Sequence, residues 1–389
     1  MNACRVTIAI ALTACSAAAQ LPASGALSAS DEPFFRAEIA RIEKLLLDAP
    51  DPGSVIYLMA RTLAYARQWP ETIDWLRKTA ALNVGLDPSR DSIFGDIKGT
   101  AEFQSIVSDG VARTPTVSHS KRAFQVKEGD LTPESMAFDP GGKHSFFGSM
   151  KKGKVLQCSG SGACTDFADG LGEVLGIKVA RDGLWVLSNA GEESSLIHFD
   201  LISRRVIRRY SVTGGGHEFN DLAFGPAGDV YVSDTRGNAV WRLSKGAGEL
   251  TRLAGRFDFA NGITVSPDGS LLYVSVFPDG ITVVDLKTNS AAAMRHPANV
   301  CLATIDGLYF YGKTLLAIQN GFMTPRVARF ALTADLRGVQ GVEVLERRNP
   351  EFEGITTGVI AGRNFFYMAN IQDDRKSDFR PISILRLPL

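Results

Sequence analysis

Six stretches of the sequence begin with a similar short pattern, and five of them open on a residue with a side-chain oxygen. The opening residues are Glu134, Leu175, Asn220, Asn261, Asp306 and Glu353. Strands more commonly open on β-branched or aromatic residues, so recurring acids and amides at one position indicate a function. Carboxylates that converge repel each other unless a cation lies between them. An all-oxygen mixture suits calcium, so the five oxygen-bearing residues are predicted ligands of a divalent cation.

The spacing of these stretches predicts the fold that brings them together. Their starts lie 41, 45, 41, 45 and 47 residues apart, and further β-rich runs follow, such as Leu271–Phe277 and Ile281–Leu286. A period of 40–50 residues with three or four strands per unit is typical of β-propeller blades. The sequence therefore predicts a mainly β protein with a six-bladed propeller over residues 120–389. The six opening residues would then share one mouth of its channel. The alternative is that they are ordinary turn residues.

The last repeat indicates how the ring closes. It ends at Leu389 with only three strands, whereas a further β-rich run lies upstream of the first repeat, at about Arg122–Lys127. Pairing this run with the last blade would remove an exposed strand edge, which is an aggregation hazard. We therefore predict that the ring closes through a strand from before the first repeat.

Residues 31–110 have helical rather than β periodicity. Ile39, Ile42 and Leu46 follow helical spacing, and Ala64 to Ala80 resembles a tetratricopeptide helix pair. Only one such repeat is visible. The sequence thus predicts a small helical module that precedes the propeller. It would dock a protein partner or, as the alternative, belong to a peptide-binding array.

The first 19 residues have the pattern of an export signal. Arg5 precedes a nine-residue apolar run that ends at Ala14, which is too short to span a bilayer. Ala17–Ala19 suits ordinary signal cleavage, whereas Leu12 to Cys15 resembles the box in which a bacterial lipoprotein is lipidated. No later run is apolar enough for a transmembrane span. We expect a protein that is periplasmic or lipid-anchored at Cys15 in the bacterial envelope.

Composition argues against one class of function, and cysteine spacing suggests a local disulfide. The chain of 389 residues carries 42 basic and 42 acidic residues, a balance that argues against nucleic-acid binding. Cys158 and Cys164 bracket a five-residue loop, so in an oxidising compartment they would form a local disulfide or remain two thiols.

The repeat motifs resemble those of the gluconolactonase and senescence-marker-protein (regucalcin) family. The matching motifs are Pro133-Glu134, Asn220-Asp221, Asn261-Gly262 and Asp306-Gly307. The resemblance covers about residues 120–389. It implies a six-bladed propeller that binds calcium or another divalent ion through Glu134, Asn261 and Asp306, with Asn220 on the substrate side. Glu353, His217 and the helical module lie outside the usual pattern.

The chemistry that the resemblance implies is hydrolysis of a lactone or an ester. Asp306 would be a ligand and a candidate general base, and Asn220 would orient the substrate. His217 is a candidate proton shuttle because histidine titrates near neutrality, although a loop histidine beside three glycines is more often only exposed. No Gly-x-Ser-x-Gly motif is present, so a serine esterase has no support. The alternative function is a non-enzymatic, calcium-stabilised propeller that acts as an envelope binding or scaffold protein.

Overall fold

The computed structural model describes residues 31–48, 53–139, 141–160, 162–180, 182–277, 280–371 and 380–389. The predicted export signal, with Cys15, lies outside these residues. Within the described ranges no helix combines the length and the apolar character that crossing a membrane requires. The chain divides into two compact units, one helical and one made of strands.

The strands form six four-stranded antiparallel sheets, which are the blades of the predicted propeller. Blades one to three comprise β2 to β13: Ser135–Phe138, His144–Ser149, Lys154–Ser159 and Cys164–Ala168; Glu173–Ala180, Gly183–Ala190, Glu193–Phe199 and Val206–Val212; Phe219–Phe224, Val230–Asp234, Ala239–Leu243 and Thr251–Arg252. Blades four to six comprise β14 to β24 and β1: Ala260–Val265, Leu271–Val276, Gly280–Asp285 and Ser290–Ala293; Ile305–Tyr311, Thr314–Gln319, Arg326–Leu332 and Val339–Arg347; Gly358–Ala361, Asn364–Met368, Ile382–Pro388 and Lys121–Val126. The prediction of a mainly β, six-bladed propeller is confirmed.

The core of this unit lies between adjacent blades. Phe146, Phe167 and Phe199 belong to one apolar cluster that joins blades one and two, and Tyr231 and Leu272 belong to another that joins blades three and four. Burying such a side chain contributes roughly 1.5–3 kcal/mol. The apolar faces of the blades therefore hold the inner strands in place around the channel.

The ring closes through β1, as predicted. This strand pairs antiparallel with β24, with Val126 opposite Ile382 and Lys121 opposite Arg386. The residues just before β1 are anchored to blade five, because Val117 and Arg347 exchange backbone hydrogen bonds of 2.9 and 2.8 Å. The last blade is therefore completed by a strand from the start of the propeller.

The carboxylate of Glu346 stabilises the same closure. Its side chain is fully buried, and it accepts hydrogen bonds from the backbone N–H groups of His119, at 2.6 Å, and of Ser120. Asn349 Nδ2 donates to its other oxygen at 2.9 Å. One carboxylate thus accepts from three donors, of which the Asn349 side chain is buried.

Glu346→Ala should therefore lower the free energy of unfolding by about 1–3 kcal/mol, since that is the rough cost of leaving a buried donor without its acceptor. Urea denaturation would measure the change. Glu343→Ala is the matched control, because Glu343 lies on the same strand but is 62% exposed and pairs with Arg329 at the surface. Its removal should change stability by less than about 0.5 kcal/mol. Equal effects of the two substitutions would contradict the assigned role of Glu346.

Four α-helices lie in the described part of the helical unit: α1 Glu32–Asp48, α2 Gly53–Tyr65, α3 Trp69–Leu82 and α4 Ala101–Arg113. Two short 3-10 helices, Pro88–Arg90 and Ser92–Ile97, precede α4. Thr100 caps α4 through a hydrogen bond from the Phe103 N–H to its hydroxyl. Residues 296–301 and 321–324 also belong to this unit, and there the Phe322 ring lies 4.7 Å from that of Tyr57.

Blade one contains the disulfide that the cysteine spacing offered as one of two alternatives. Cys158 and Cys164 are bridged, and they pair across β4 and β5. The bridge links two strands that are already hydrogen-bonded neighbours.

Candidate functional site

Four of the six inner strands carry a β-bulge at the predicted position. The pairing register shifts between Val174 and Ile177, Phe219 and Leu222, Ala260 and Ile263, and Ile305 and Leu308. Asn220, Asn261 and Asp306 therefore lie in irregular segments at the start of their strands. A bulge re-aims a side chain relative to the regular alternation of a strand. The repeated sequence pattern thus coincides with a β-bulge at the start of these four inner strands.

Glycine follows three of these positions, and at two of them neighbouring inner strands approach closely. A Cβ at Gly262 would lie 2.3 Å from the carbonyl oxygen of Asp306, and one at Gly176 would lie 2.6 Å from that of Asn220. No other residue fits at such distances without displacing backbone. The Gly of the Asn-Gly motif is therefore required by packing, whereas its Asn is available for chemistry.

Two acidic side chains from different blades form the centre of the site. Glu134 Oε2 accepts a hydrogen bond from the Thr356 hydroxyl at 2.5 Å, and Asp306 Oδ2 accepts one from Asn320 Nδ2 at 2.6 Å. Asn261 also hydrogen bonds to Asp306. We call these five residues the central cluster. It joins inner-strand starts of blades one, four, five and six.

The electrostatics of the central cluster disfavour two negative charges. Burial raises the pKa of Glu134 to about 8, and the charge of Asp306 adds to this rise. Burial likewise raises the pKa of Asp306, whereas hydrogen bonds from Asn320, Thr356 and Asn261 oppose the rise. A cation placed between the two carboxylates would offset their repulsion.

An unsatisfied oxygen supports the same conclusion. Asn261 Oδ1 is buried and has no hydrogen-bond partner in the part of the chain that the structure describes. An orphaned buried acceptor costs free energy, and a bound cation would remove that cost by coordinating the oxygen. Together with Glu134 and Asp306 it forms a set of hard oxygen donors, which fits calcium better than a transition metal.

Amide oxygens are essential to any such site. Among the described residues, no three His, Cys, Asp or Glu side chains lie close enough to share a metal ion. A cation in the central cluster would thus depend on Asn261 as well as on the two carboxylates.

Asn220 is engaged through its amide nitrogen. Its Nδ2 donates to Thr235 Oγ1 at 3.0 Å, and that hydroxyl donates to the carbonyl of Ala260 at 2.7 Å. The nitrogen is fixed by blade four, so the carbonyl oxygen of the Asn220 side chain is the atom available to a ligand.

Glu353 does not join the central cluster. It is exposed, and its carboxylate pairs with Arg380. Blade six instead supplies Thr356, which contacts Glu134, because its inner strand begins only at Gly358. We therefore leave Glu353 out of the proposed ligand set.

Sequence reasoning missed a second polar group, formed by Lys178, Asp221 and Tyr309. Lys178 Nζ lies 3.1 Å from Asp221 Oδ1, and Asp221 Oδ2 accepts the Ile263 N–H at 3.2 Å. The Tyr309 hydroxyl accepts the Gly358 N–H at 2.7 Å, and burial raises the pKa of this phenol, with Asp221 and Asp306 adding to the rise. Asp221 stood in the Asn220-Asp221 motif, but Lys178 and Tyr309 had no signal in the repeat.

His217 lies in a different part of the same unit. It lines a cavity of about 750 Å³, together with residues of blades one to three that include Asn189, Glu218 and Arg236. The loops and turns that line it, including those before β6 and β10, lie at the end of the blades where the inner strands begin. The cavity therefore opens on the face that carries the predicted site residues.

Fold and site together define a six-bladed propeller whose channel is lined by acids and amides. Residues 132–309 match the family model described as SMP-30/Gluconolactonase/LRE-like region, which confirms the resemblance predicted from the repeat motifs. The matched stretch includes Glu134, Asn220, Asn261 and Asp306. No comparison supports the tetratricopeptide likeness of the helical unit, which stays a prediction. No curated protein matches the sequence.

Several solved structures share the fold. The major allergen Mala s 1 of Malassezia sympodialis is 14% identical, with 69% of this chain and 96% of that chain covered at a TM-score of 0.54. An oxidoreductase described as a glucose dehydrogenase from Thermus thermophilus is 16% identical, with 69% and 99% covered at a TM-score of 0.51. A luciferin-regenerating enzyme is 13% identical, with 68% and 93% covered at a TM-score of 0.50. At these identities the likeness shows the fold alone.

Proposed function

We propose that the protein hydrolyses a lactone or an ester in its channel, with a divalent cation, calcium, held by Glu134, Asn261 and Asp306. The observation that carries the proposal is the orphaned Oδ1 of Asn261 beside two carboxylates that disfavour joint ionisation. The family match over residues 132–309 supports it, because it covers all three residues.

The residues of the site would have different roles in the reaction. When bound, calcium would supply positive charge that polarises a carbonyl group and stabilises a developing oxyanion. Asp306 would be a charged ligand of the cation, since one of its oxygens is fixed by Asn320 at 2.6 Å and the carboxyl is thereby oriented. Asn220 would orient the substrate through its carbonyl oxygen.

A panel of aliphatic and sugar lactones and aryl esters, assayed with calcium and with the chelator EGTA, tests this function. We expect hydrolysis of at least one lactone or ester that EGTA abolishes and added calcium restores. Calcium that raises the melting temperature without any turnover would instead favour the non-enzymatic binding or scaffold protein. Turnover that is insensitive to EGTA would contradict the metal dependence.

We also propose that the protein is exported, on the evidence of the apolar run before Ala14 and the small residues at 17–19. Fractionation of the producing bacterium should find the processed chain in the periplasm or on a membrane. Cys15→Ala separates the two processing routes, because only a lipid-anchored protein would lose its membrane association. An intact, unprocessed chain in the cytosol would contradict export.

A further inference from the structure

A buried carboxylate holds the imidazole of His217 in one orientation at the wall of the cavity. His217 Nδ1 lies 2.6 Å from Asp234 Oδ2, and the side chain of Asp234 is fully buried whereas that of His217 is 21% exposed. The two residues meet because Phe219, at the start of β10, pairs with Asp234, at the end of β11. A buried acid therefore lies directly behind a histidine that lines the cavity.

Both oxygens of Asp234 are occupied by donors. Oδ1 accepts the backbone N–H groups of Glu218 and Gly237, each at 2.9 Å. Oδ2 accepts the Trp241 Nε1–H at 2.9 Å in addition to the contact with His217. Three N–H donors independent of His217 point at this carboxyl group, two at Oδ1 and one at Oδ2, so both of its oxygens act as acceptors, as those of a carboxylate do.

This arrangement determines which nitrogen of His217 carries the proton. Because a carboxylate cannot donate, Nδ1 must be the protonated nitrogen, and Nε2 of the neutral ring is left as a proton acceptor. The indole of Trp241 packs edge-on against the imidazole, with ring centroids 5.7 Å apart, which limits rotation of the ring. Among the described residues, Nε2 has no hydrogen-bond partner within the protein.

The position of His217 along the chain brings the dyad close to the channel. It precedes Asn220 by three positions, and even a fully extended chain spans no more than about 11 Å between Cα atoms over that length. The cavity of about 750 Å³ is within the size range of small-molecule sites. A small molecule bound near Asn220 therefore lies within reach of His217.

We propose that His217 is the proton-transfer residue of the hydrolysis and that Asp234 is its positioning residue, so that the cavity over blades one to three is the second half of the substrate site. This inference rests on the proposed function. His217 Nε2 takes a proton from water as the water oxygen bonds to the carbonyl carbon. The bond from that carbon to the alkoxy oxygen then breaks, and Nε2 returns the proton to the leaving oxygen. The products are one acid and one alcohol group, and the imidazole is regenerated.

Kinetics of four variants test the proposal. His217→Gln should lower kcat about 100-fold and Asp234→Asn about tenfold, with KM changed less than threefold. His144→Gln is the matched control, because His144 Nδ1 also lies 3.1 Å from an aspartate, Asp139, but neither residue lines the cavity, and kcat should stay within about twofold. Calcium affinity should be unchanged in all three. In His217→Ala, free imidazole should restore part of the turnover, which a purely structural histidine would not allow.

A measurement without turnover covers the case in which Asp234→Asn does not fold. In ¹⁵N-histidine spectra of the wild-type protein, assigned by the signal missing from His217→Gln, His217 should be in the Nδ1–H tautomer. The Nε2–H tautomer would overturn the proposal. Calcium-dependent hydrolysis that His217→Gln leaves unchanged would overturn the dyad alone, whereas a wild-type protein without any hydrolysis would overturn the proposed function and the dyad's role together.

Discussion

Asp306→Ala should remove calcium binding and hydrolysis together. The substitution deletes one of the two carboxylates of the central cluster and leaves Asn320 Nδ2 without its 2.6 Å acceptor. Because charged ligands contribute most to holding a divalent cation, we expect calcium affinity to fall by about two orders of magnitude. Because the bound cation would polarise the substrate carbonyl, kcat/KM should fall at least as much as calcium affinity. Calorimetric calcium titration beside a lactone assay measures both effects.

Two further substitutions distinguish residues that bind calcium from residues that do not. Asn220→Ala should lower turnover more than calcium affinity, since a neutral amide contributes less to cation binding. Glu353→Ala should change neither, because that carboxylate is exposed and paired with Arg380. Calcium affinity that survives Asp306→Ala, or that falls in Glu353→Ala, would overturn the proposed ligand set.

Removing β1 should destabilise the propeller far more than removing the helices alone. Deleting residues 20–127 takes away the strand that pairs with β24, together with Val126, which is fully buried. The buried side chain contributes roughly 1.5–3 kcal/mol, and each lost hydrogen bond about 1 kcal/mol. The sum is comparable to the 5–15 kcal/mol that stabilises a typical domain. The exposed edge of β24 would also promote aggregation.

Deletion of residues 20–112 is the matched comparison. Both truncated chains lose α1 to α3 and nearly all of α4, and both uncover residues 296–301 and 321–324, so these effects cancel. The shorter deletion keeps β1 and the anchoring bonds between Val117 and Arg347. Melting temperature and size-exclusion profile of the two proteins give the comparison. Equal stability would show that β1 does not close the ring.

Blade number and closure were predictable because they depend on repetition. Each blade must return the chain to the same face after four strands, so its length is nearly constant and appears as spacing in the sequence. The fourth strand of the last blade could then come from the β-rich run upstream of the first repeat. The number of strands in each repeat was sufficient for this prediction, since an unpaired strand edge is unfavourable wherever it occurs.

The residue that blade six contributes to the central cluster could not be predicted from the repeats. Glu353-Gly354-Ile355-Thr356 resembles Asn261-Gly262-Ile263-Thr264, yet the inner strand of blade six begins at Gly358, opposite Tyr367. A change of register moves every side chain to another position on the strand. Thr356 therefore reaches Glu134, whereas Glu353 remains exposed.

The sequence by itself determined the propeller, its six blades, its closing strand and three residues of the central cluster, because repeated local patterns encode all of these. Only the tertiary structure decided that Thr356 and Asn320 complete the cluster and that Asp234 lies behind His217. Those contacts join residues of different strands or blades through pairing registers and bulges. A register is fixed by packing against a neighbouring strand, and that information is not present in either strand alone.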